Sequence, residues 1–400
     1  MQDASTVRTR KLYYEDAYQT SFTARVLSID GRDVVLDQTL FFPEEGGQSP
    51  DRGVLAGYKV LDVQIRDGEI HHILSEKPDN GLEALSPDAE WKGSTVTGVI
   101  DWDHRFSNMQ QHSGEHLFSG IVHRRFGLEN VGFHCSDREV TLDYNGSLTA
   151  EQLQAVEREV NAAIVKNIPS EVRFLYGEEA KTAVYRSKLD LSGEVRVVTF
   201  AGVDACACCA PHVARTGEIG CLKVVGVQKW KSGVRVNILC GARAMELFDR
   251  DHALITGLSR YLTTSPEEVF GLVTRMREEK AALLTRIRQM ETERLLERVG
   301  RAEATDGSIL FFEASLEQKP AREAVNALAS RAGKYAGIFI GNDREGYRFI
   351  IGSLHADARE AANLLKQAFN ARGGGQPAMV QGSVKAAEAQ IRTLLSTVHT

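Results

Sequence analysis

Between residues 20 and 100 the apolar positions come in short segments separated by turn-forming pairs. Ala24 to Ile29, Val34 to Leu36 and Val60 to Ile65 are divided by Asp30-Gly31 and Asp67-Gly68, and Asn80-Gly81 follows. Such pairs favour the left-handed conformations of tight hairpins, and many short strands at this spacing predict a small β-barrel. The pattern then changes. A helical pattern begins near Ser107 and runs to Phe126, and a second covers 150–167. In the second, Thr149 and Gln152 form a capping-box pair, Leu153, Val156, Val160 and Ile164 share one face, and Pro169 stops the helix. Residues 194–240 return to strand-like runs, VRVVTF, CLKVVGV and VRVNILC.

Residues 265–300 predict a long amphipathic helix. Ser265 and Glu268 read as a second capping box with Pro266 at the first helical position. Val269, Leu272, Met276, Leu283, Ile287 and Met290 then recur amid dense charge, as in a solvated spacer or a dimer arm. From 306 to 400, the strand candidates SILFF, YAGIFIG and YRFIIGS alternate with helical stretches at 319–332, 357–371 and 383–396. The expected class is therefore α+β multidomain. It comprises a β-barrel-like domain over 1–95, an α+β core over 96–250, a helical linker or coiled-coil arm over 251–302, and an α/β domain over 303–400.

Composition narrows the chemistry. The 400 residues are 42% apolar and 26% charged, which is ordinary globular usage. Charge interrupts every long apolar stretch before a membrane span could form, and the first twenty residues lack an apolar signal core. A soluble, cytoplasmic protein is the expectation. A net charge of −6 argues against a uniformly basic nucleic-acid binder but leaves room for a local basic groove. The six cysteines include Cys206, Cys208 and Cys209 within four residues, a spacing better suited to metal ligation than to a disulfide framework.

Three segments carry chemistry. His112-Ser-Gly-Glu-His116 places two imidazoles on one helix face. Cys208-Cys-Ala-Pro-His212 offers a thiolate and an imidazole, the preferred ligands of zinc. Together they supply four ligands, with Cys206 and Cys209 as rivals. The first segment also matches H-x-x-E-H, in which Glu115 would be the base of a zinc peptidase. The third, Thr39 to Gln48, ends in Gly46-Gly47-Gln48: paired glycines permit close backbone approach, and Gln48 and Thr39 supply polar contacts.

The order T-x-F-x-P-x-x-G-G-Q, H-x-x-x-H, then C-x-x-x-H followed by Thr216-Gly-Glu-Ile-Gly220, resembles the editing region of alanyl-tRNA synthetase. It resembles still more the free-standing AlaX-type alanyl-tRNA editing proteins. Agreement extends to Asp51-Arg-Gly53, Val156-Glu157 with Asn161, and Val195-Arg-Val-Val198, covering residues 12–245. The tail, with its long helix and Arg372-Gly-Gly-Gly375, resembles the DHHA1-type domain of the synthetase, so the chain as a whole is similar to the long form of AlaX.

The resemblance implies hydrolysis of the ester joining serine, or glycine, to tRNA(Ala). It implies one Zn2+ per chain on His112, His116, Cys208 and His212, and substrate contacts from Gly46, Gly47, Gln48 and Thr39, the last reading the serine hydroxyl. Glu115 is a further candidate base. Candidate tRNA contacts are Arg124, Arg125, Lys229, Lys231 and Arg372 with the Gly373-Gly374-Gly375 run, read as a loop. A homodimer through the helical arm and final domain is also expected. Two departures stand out: the synthetase pattern C-G-G-T-H is replaced by Cys208-Cys-Ala-Pro-His212, and Glu45 stands where many relatives carry glycine. The competing readings are a non-catalytic zinc-stabilised tRNA-binding module and the H-x-x-E-H metallopeptidase.

Overall fold

A computed structural model describes residues 8–78, 91–137, 139–187 and 193–396, so the Asn80-Gly81 turn lies outside it. The chain forms two compact units, Met1–Leu254 and Ile255–Thr400.

The first unit opens with six strands, Ser21–Asp30, Asp33–Leu36, Gly53–Leu55, Tyr58–Arg66, Glu69–Leu74 and Thr95–Ile100, each paired with two neighbours so that the sheet closes on itself. Alternation drives the closure: Phe22, Ala24 and Val26 point inward while Ser21, Thr23 and Arg25 face solvent. The Asp67-Gly68 hairpin has positive φ at both residues (50° and 85°), the geometry that matches strand twist.

The barrel is followed by helix α1 (Trp102–Phe126). The expected start at Ser107 is corrected to Trp102: Asp101 caps the helix by accepting from the His104 N–H, and Gly127 ends it with φ 65°. The polar stretch before Ser107 hid this first turn because Arg105 is buried against Asp51. Helix α2 (Ala150–Val165) carries both bonds of the Thr149–Gln152 capping box. Both helices share a core with a four-stranded antiparallel sheet in the order Leu222–Trp230, Gly233–Cys240, Val140–Tyr144, Asn130–Cys135. A three-stranded sheet, Ser170–Leu175, Val195–Phe200 and Asp204–Ala207, leads into the cysteine segment. The short helix α3 (Gly177–Thr182) follows its first strand. Helix α4 (Gly241–Leu262) carries the chain into the second unit.

In the second unit a 3-10 turn, Pro266–Glu268, precedes α5 (Val269–Arg301). The capping box expected at Ser265 does not form; the Ser265 hydroxyl makes no cap bond, and the Glu268 carboxylate instead accepts from Thr264 Oγ1 at 3.0 Å. A five-stranded sheet follows in the order Ile309–Glu313, Ala336–Asn342, Gly346–Gly352, Met379–Val384, Arg372–Gln376. Helices α6 (Gln318–Ala329) and the end of α5 cover the face bearing Ile338, Ile340 and Ile350. Helices α7 (Ala358–Phe369) and α8 (Glu388–Ser396) cover the face bearing Phe339, Phe349 and Ile351. The helix expected over 383–396 begins only at Glu388, because Ser383 and Val384 complete a strand. Among the described residues no helix is long and apolar enough to cross a membrane.

Candidate metal centre and its cavity

Helix α1 is buried over much of its circumference, which fixes the side chains it carries. Gly114 lets Cys240 approach, since a Cβ there would lie 2.3 Å from the Cys240 sulfur. Gly120 likewise lets Asp204 pack one turn beyond His116, since its Cβ would lie 2.7 Å from that of Asp204. His112 and His116 thus share a buried face, with ring centroids 5.5 Å apart.

The strand Asp204–Ala207 delivers Cys208 and His212 to the same point. Ligand atoms of His112, His116, Cys208 and His212 all lie within 4.8 Å of one another. Cys208 Sγ is 3.4 Å from His112 Nε2 and 3.3 Å from His212 Nε2. Tetrahedral zinc with ordinary Zn–N and Zn–S bonds requires about 3.5 Å between such atoms.

Each imidazole is held from behind. His112 Nδ1–H donates to Gln48 Oε1 at 2.8 Å, leaving Nε2 as the free ligand. His212 Nδ1 pairs with Ser113 Oγ at 3.0 Å. His116 Nδ1 lies 3.2 Å from Asp204 Oδ2, too oblique for a full hydrogen bond, so this contact is mainly electrostatic. Outer partners of this kind set tautomer and ring orientation in metal sites.

Electrostatics separates the three clustered cysteines. Burial opposes ionisation of Cys208, but His112 and His212, with bonds from His112 and His116, more than offset it and hold the thiol well below its ordinary value. Burial pushes the thiols of Cys206 and Cys209 up. Cys208 is therefore the natural thiolate donor, and the donor chemistry fits Zn2+. Burial also lowers His212, to about 3. For His116 the same desolvation is overcome by Asp204 and Cys208, which raise it to about 10.

The glycine pair has a specific task. Gly47 has φ 84°, and a Cβ there would lie 2.3 Å from the Phe133 carbonyl oxygen. Cys135 N–H donates to the Gly47 carbonyl and Ser49 N–H to that of Cys135, so the loop lies against the strand Asn130–Cys135 and brings Gln48 to His112. Gly46 faces the cavity, where a Cβ would be 3.1 Å from Cys209 Sγ.

The cavity, about 960 Å³, is lined by His112, Glu115, His116 and Cys208. Arg8, Arg10, Lys11 and Arg196 line it too, as do Glu15, Glu45 and Glu194; Arg10 pairs with Glu15 at 2.6 Å, and Lys11 lies 3.9 Å from Glu45. Sequence reasoning did not assign these basic residues to the site: Arg8, Arg10 and Lys11 showed only as the RTRK run, and Arg196 only within Val195-Arg-Val-Val198. Arg196 also supports the ligand loop: Nη1 donates to the carbonyls of Cys208 (2.7 Å) and Ala210 (3.0 Å). This explains how the loop keeps its shape with Ala210-Pro211 in place of Gly-Thr.

Other expected residues lie elsewhere or are already engaged. Thr39 is fully buried and is not among the residues lining the cavity. His72 donates from Nδ1 to the Val34 carbonyl, so its Nε2 accepts from the Thr39 hydroxyl at 2.9 Å, while Thr39 Oγ1 accepts from the Phe41 N–H. Glu115 reaches the cavity wall but accepts from Ser119 Oγ at 2.7 Å and Asn130 Nδ2 at 2.6 Å. Arg124 and Arg125 pair with Glu159, and Arg124 also donates to the Gly202 carbonyl. Lys229 lies on the strand Leu222–Trp230, with Lys231 just beyond it; neither lines the cavity. Arg372 to Gly375, read as a loop, is instead an exposed edge strand; Gly373 and Gly375 fit there because a Cβ would lie 2.3 Å from the carbonyls of Gln381 and Met379 respectively.

Comparison with known proteins agrees with this geometry. Residues 195–237, which include Cys208 and His212, match the threonyl and alanyl tRNA synthetase second additional domain. The chain is 32% identical over 279 residues to the mouse alanyl-tRNA editing protein Aarsd1, covering 64% of this chain and 65% of that protein. It is 29% identical over 336 residues to the alanine–tRNA ligase of Ignicoccus hospitalis, covering 80% of this chain and 36% of the ligase. A 27% identity to Aarsd1-B of Xenopus laevis extends over 93% of this chain and 89% of that protein. The chain thus spans about a third of the ligase and just under two thirds of the mouse protein. Taken with the three motifs and the buried donor group, these likenesses support a resemblance to the AlaX-type alanyl-tRNA editing proteins.

Proposed function

We propose that this chain is a trans-editing deacylase that hydrolyses the ester of mischarged tRNA(Ala), chiefly Ser-tRNA(Ala) and also Gly-tRNA(Ala), in the cytoplasm. The observation that carries the reading is the convergence of ligand atoms of His112, His116, Cys208 and His212 within 4.8 Å of one another, the first three lining the cavity and each imidazole held by an outer partner. The physical need is clear. An alanine site cannot exclude smaller glycine by size, and one extra hydroxyl gives limited discrimination, so fidelity requires a second, hydrolytic site.

His112, His116, Cys208 and His212 would hold one Zn2+, which supplies positive charge to orient and polarise the ester. Four protein ligands favour such positioning over activation of a nucleophile at an open site. Gln48 keeps the His112 ring in register, Gly46 admits the aminoacyl end while Gly47 lets its loop lie against the strand Asn130–Cys135, and Arg8, Arg10, Lys11 and Arg196 meet the phosphates of the acceptor end. We assign the domain expected over 1–95, whose barrel closes through Thr95–Ile100, and the core expected over 96–250 to editing, and the arm over 251–302 and DHHA1-like domain over 303–400, including Arg372 to Gly375, to tRNA contact and homodimer formation. Arg124, Arg125, Lys229 and Lys231 form a secondary RNA-facing set.

The metallopeptidase reading needs Glu115 disposed toward a hydrolytic water, whereas one of its oxygens is engaged by Ser119 and Asn130. The binding-module reading predicts tRNA binding without turnover. The test is deacylation of Ser-, Gly- and Ala-tRNA(Ala) by one preparation of measured metal content. Loss of serine and glycine but not alanine, with one zinc per chain, is expected. Zinc without turnover of any ester overturns the deacylase reading.

A further inference from the structure

His116 belongs to two overlapping donor groups. One is the four-residue cluster; the other is His116, Asp204 and Cys206, all buried, whose ligand atoms also lie within 4.8 Å of one another. Imidazole, carboxylate and thiolate are a competent set for a divalent ion. The second group therefore competes for His116 and for the metal.

Arg186 answers this competition. Its Nε and Nη2 donate to the two oxygens of Asp204 at 2.7 and 2.9 Å, and side-chain exposure is 11% for Arg186 and 2% for Asp204. Its backbone is tied to the strand that carries both rival donors: Arg186 N–H donates to the Ala205 carbonyl, and Ala207 N–H donates to that of Arg186. The guanidinium is thus held beside Asp204 and Cys206 by main chain as well as side chain. A fixed, always-charged group occupies the cation's place, in a planar fork that matches a carboxylate.

We propose that Arg186 is a positioning residue that directs the ion to the four-residue cluster. It neutralises Asp204 as a metal ligand while leaving Oδ2 beside His116 Nδ1, so that the carboxylate orients the imidazole without coordinating. This rests on reading the four-residue cluster as the metal site.

The test uses the full chain under reducing conditions, titrated with Co2+ alone and followed by its thiolate charge-transfer and d–d bands. The wild type should take one tight equivalent with a single-thiolate tetrahedral spectrum; failure to bind any ion would overturn the metal-site reading itself. Arg186→Met should weaken the first equivalent about 10–100-fold, the usual effect of losing an outer partner. The single equivalent should also be shared with the second group, giving a mixed thiolate charge-transfer spectrum that reverts to one component in the Arg186→Met, Cys206→Ala double variant. Arg186→Lys, which keeps the charge but not the fork, should retain a single equivalent of intermediate affinity. Arg186→Met with wild-type affinity, stoichiometry and spectrum would overturn the proposal. If circular dichroism shows Arg186→Met to be unfolded, Asp204→Asn decides: at least about 10-fold weaker binding with a one-component spectrum supports the proposal, and unchanged affinity overturns it.

Discussion

The barrel and helix α1 are both deeply buried, yet they are filled in opposite ways. The barrel interior is mainly aliphatic and aromatic, from Phe22, Val26, Leu36, Phe41 and Leu55 to Leu74, with the Thr39–His72 pair as a polar exception. The buried surface of α1 instead carries Arg105, Asn108, Gln110, Gln111, His112, Ser113, Glu115, His116 and Ser119. Apolar burial is non-directional and supplies stability roughly in proportion to area. Buried polar groups need partners at set distances, so they contribute less net stability but fix geometry. The barrel can therefore be repacked, whereas α1 cannot without moving the ligands.

The largest expected effect falls on the polar side of this comparison. Cys208→Ala should abolish stoichiometric zinc binding and deacylation while leaving the fold, as read by metal analysis and circular dichroism. An ion retained at wild-type affinity would sink the ligand assignment. Arg105→Met comes next. It strands Asp51, a fully buried carboxylate that Arg105 contacts from Nε at 3.0 Å, and loss of one partner of a buried ion pair should cost about 3–5 kcal/mol. Urea unfolding measures it, and a change below about 1 kcal/mol would show that Asp51 finds another partner.

Leu36→Ala is the matching test of the barrel. This fully buried side chain should cost about 2–5 kcal/mol with metal affinity unchanged, and a matching loss of affinity would show that the barrel, too, sets the ligand geometry.

The barrel's polar exception gives a pH signature. Burial lowers His72 to about 4. Because the unfolded histidine titrates near 6.5, it binds more protons than the folded one between those values. Its contribution is fully present above about pH 6.5 and is lost as pH falls toward 4, a change of about 3 kcal/mol. Stability measured against pH should lose this component in a His72→Phe, Thr39→Val double variant; an identical profile would exclude His72 as its source. Thr39→Val alone should cost about 1–3 kcal/mol by leaving His72 Nε2 unpaired, with serine-over-alanine discrimination unchanged. Selective loss of that discrimination would instead support Thr39 as the reader of the serine hydroxyl.

Local features of the site were legible because local rules govern them. The i,i+4 histidines, the Cys208–His212 spacing and the Thr149–Gln152 capping box all fall within one turn or loop, and each is found as read. The errors arose where a nearby residue offered an alternative. Thr264 took the bond expected from Ser265, and Asp101 capped α1 ahead of Ser107. The Gly373–Gly375 run looked like a loop because glycine signals turns, whereas here it lets an edge strand approach its neighbour closely.

By itself the sequence determined the strand and helix periods and marked the His112–His116 and Cys208–His212 segments as donor-bearing, with Cys206 and Cys209 as rivals, because residue type and short spacing carry that information. Only the tertiary structure decided that Gln48 backs His112, that Asp204 and Arg186 stand behind His116, and that Thr39 pairs with His72. Each of these depends on contacts between distant segments, set by how strands and helices register in three dimensions. In a single sequence, a buried carboxylate that orients a ligand is indistinguishable from one that faces solvent.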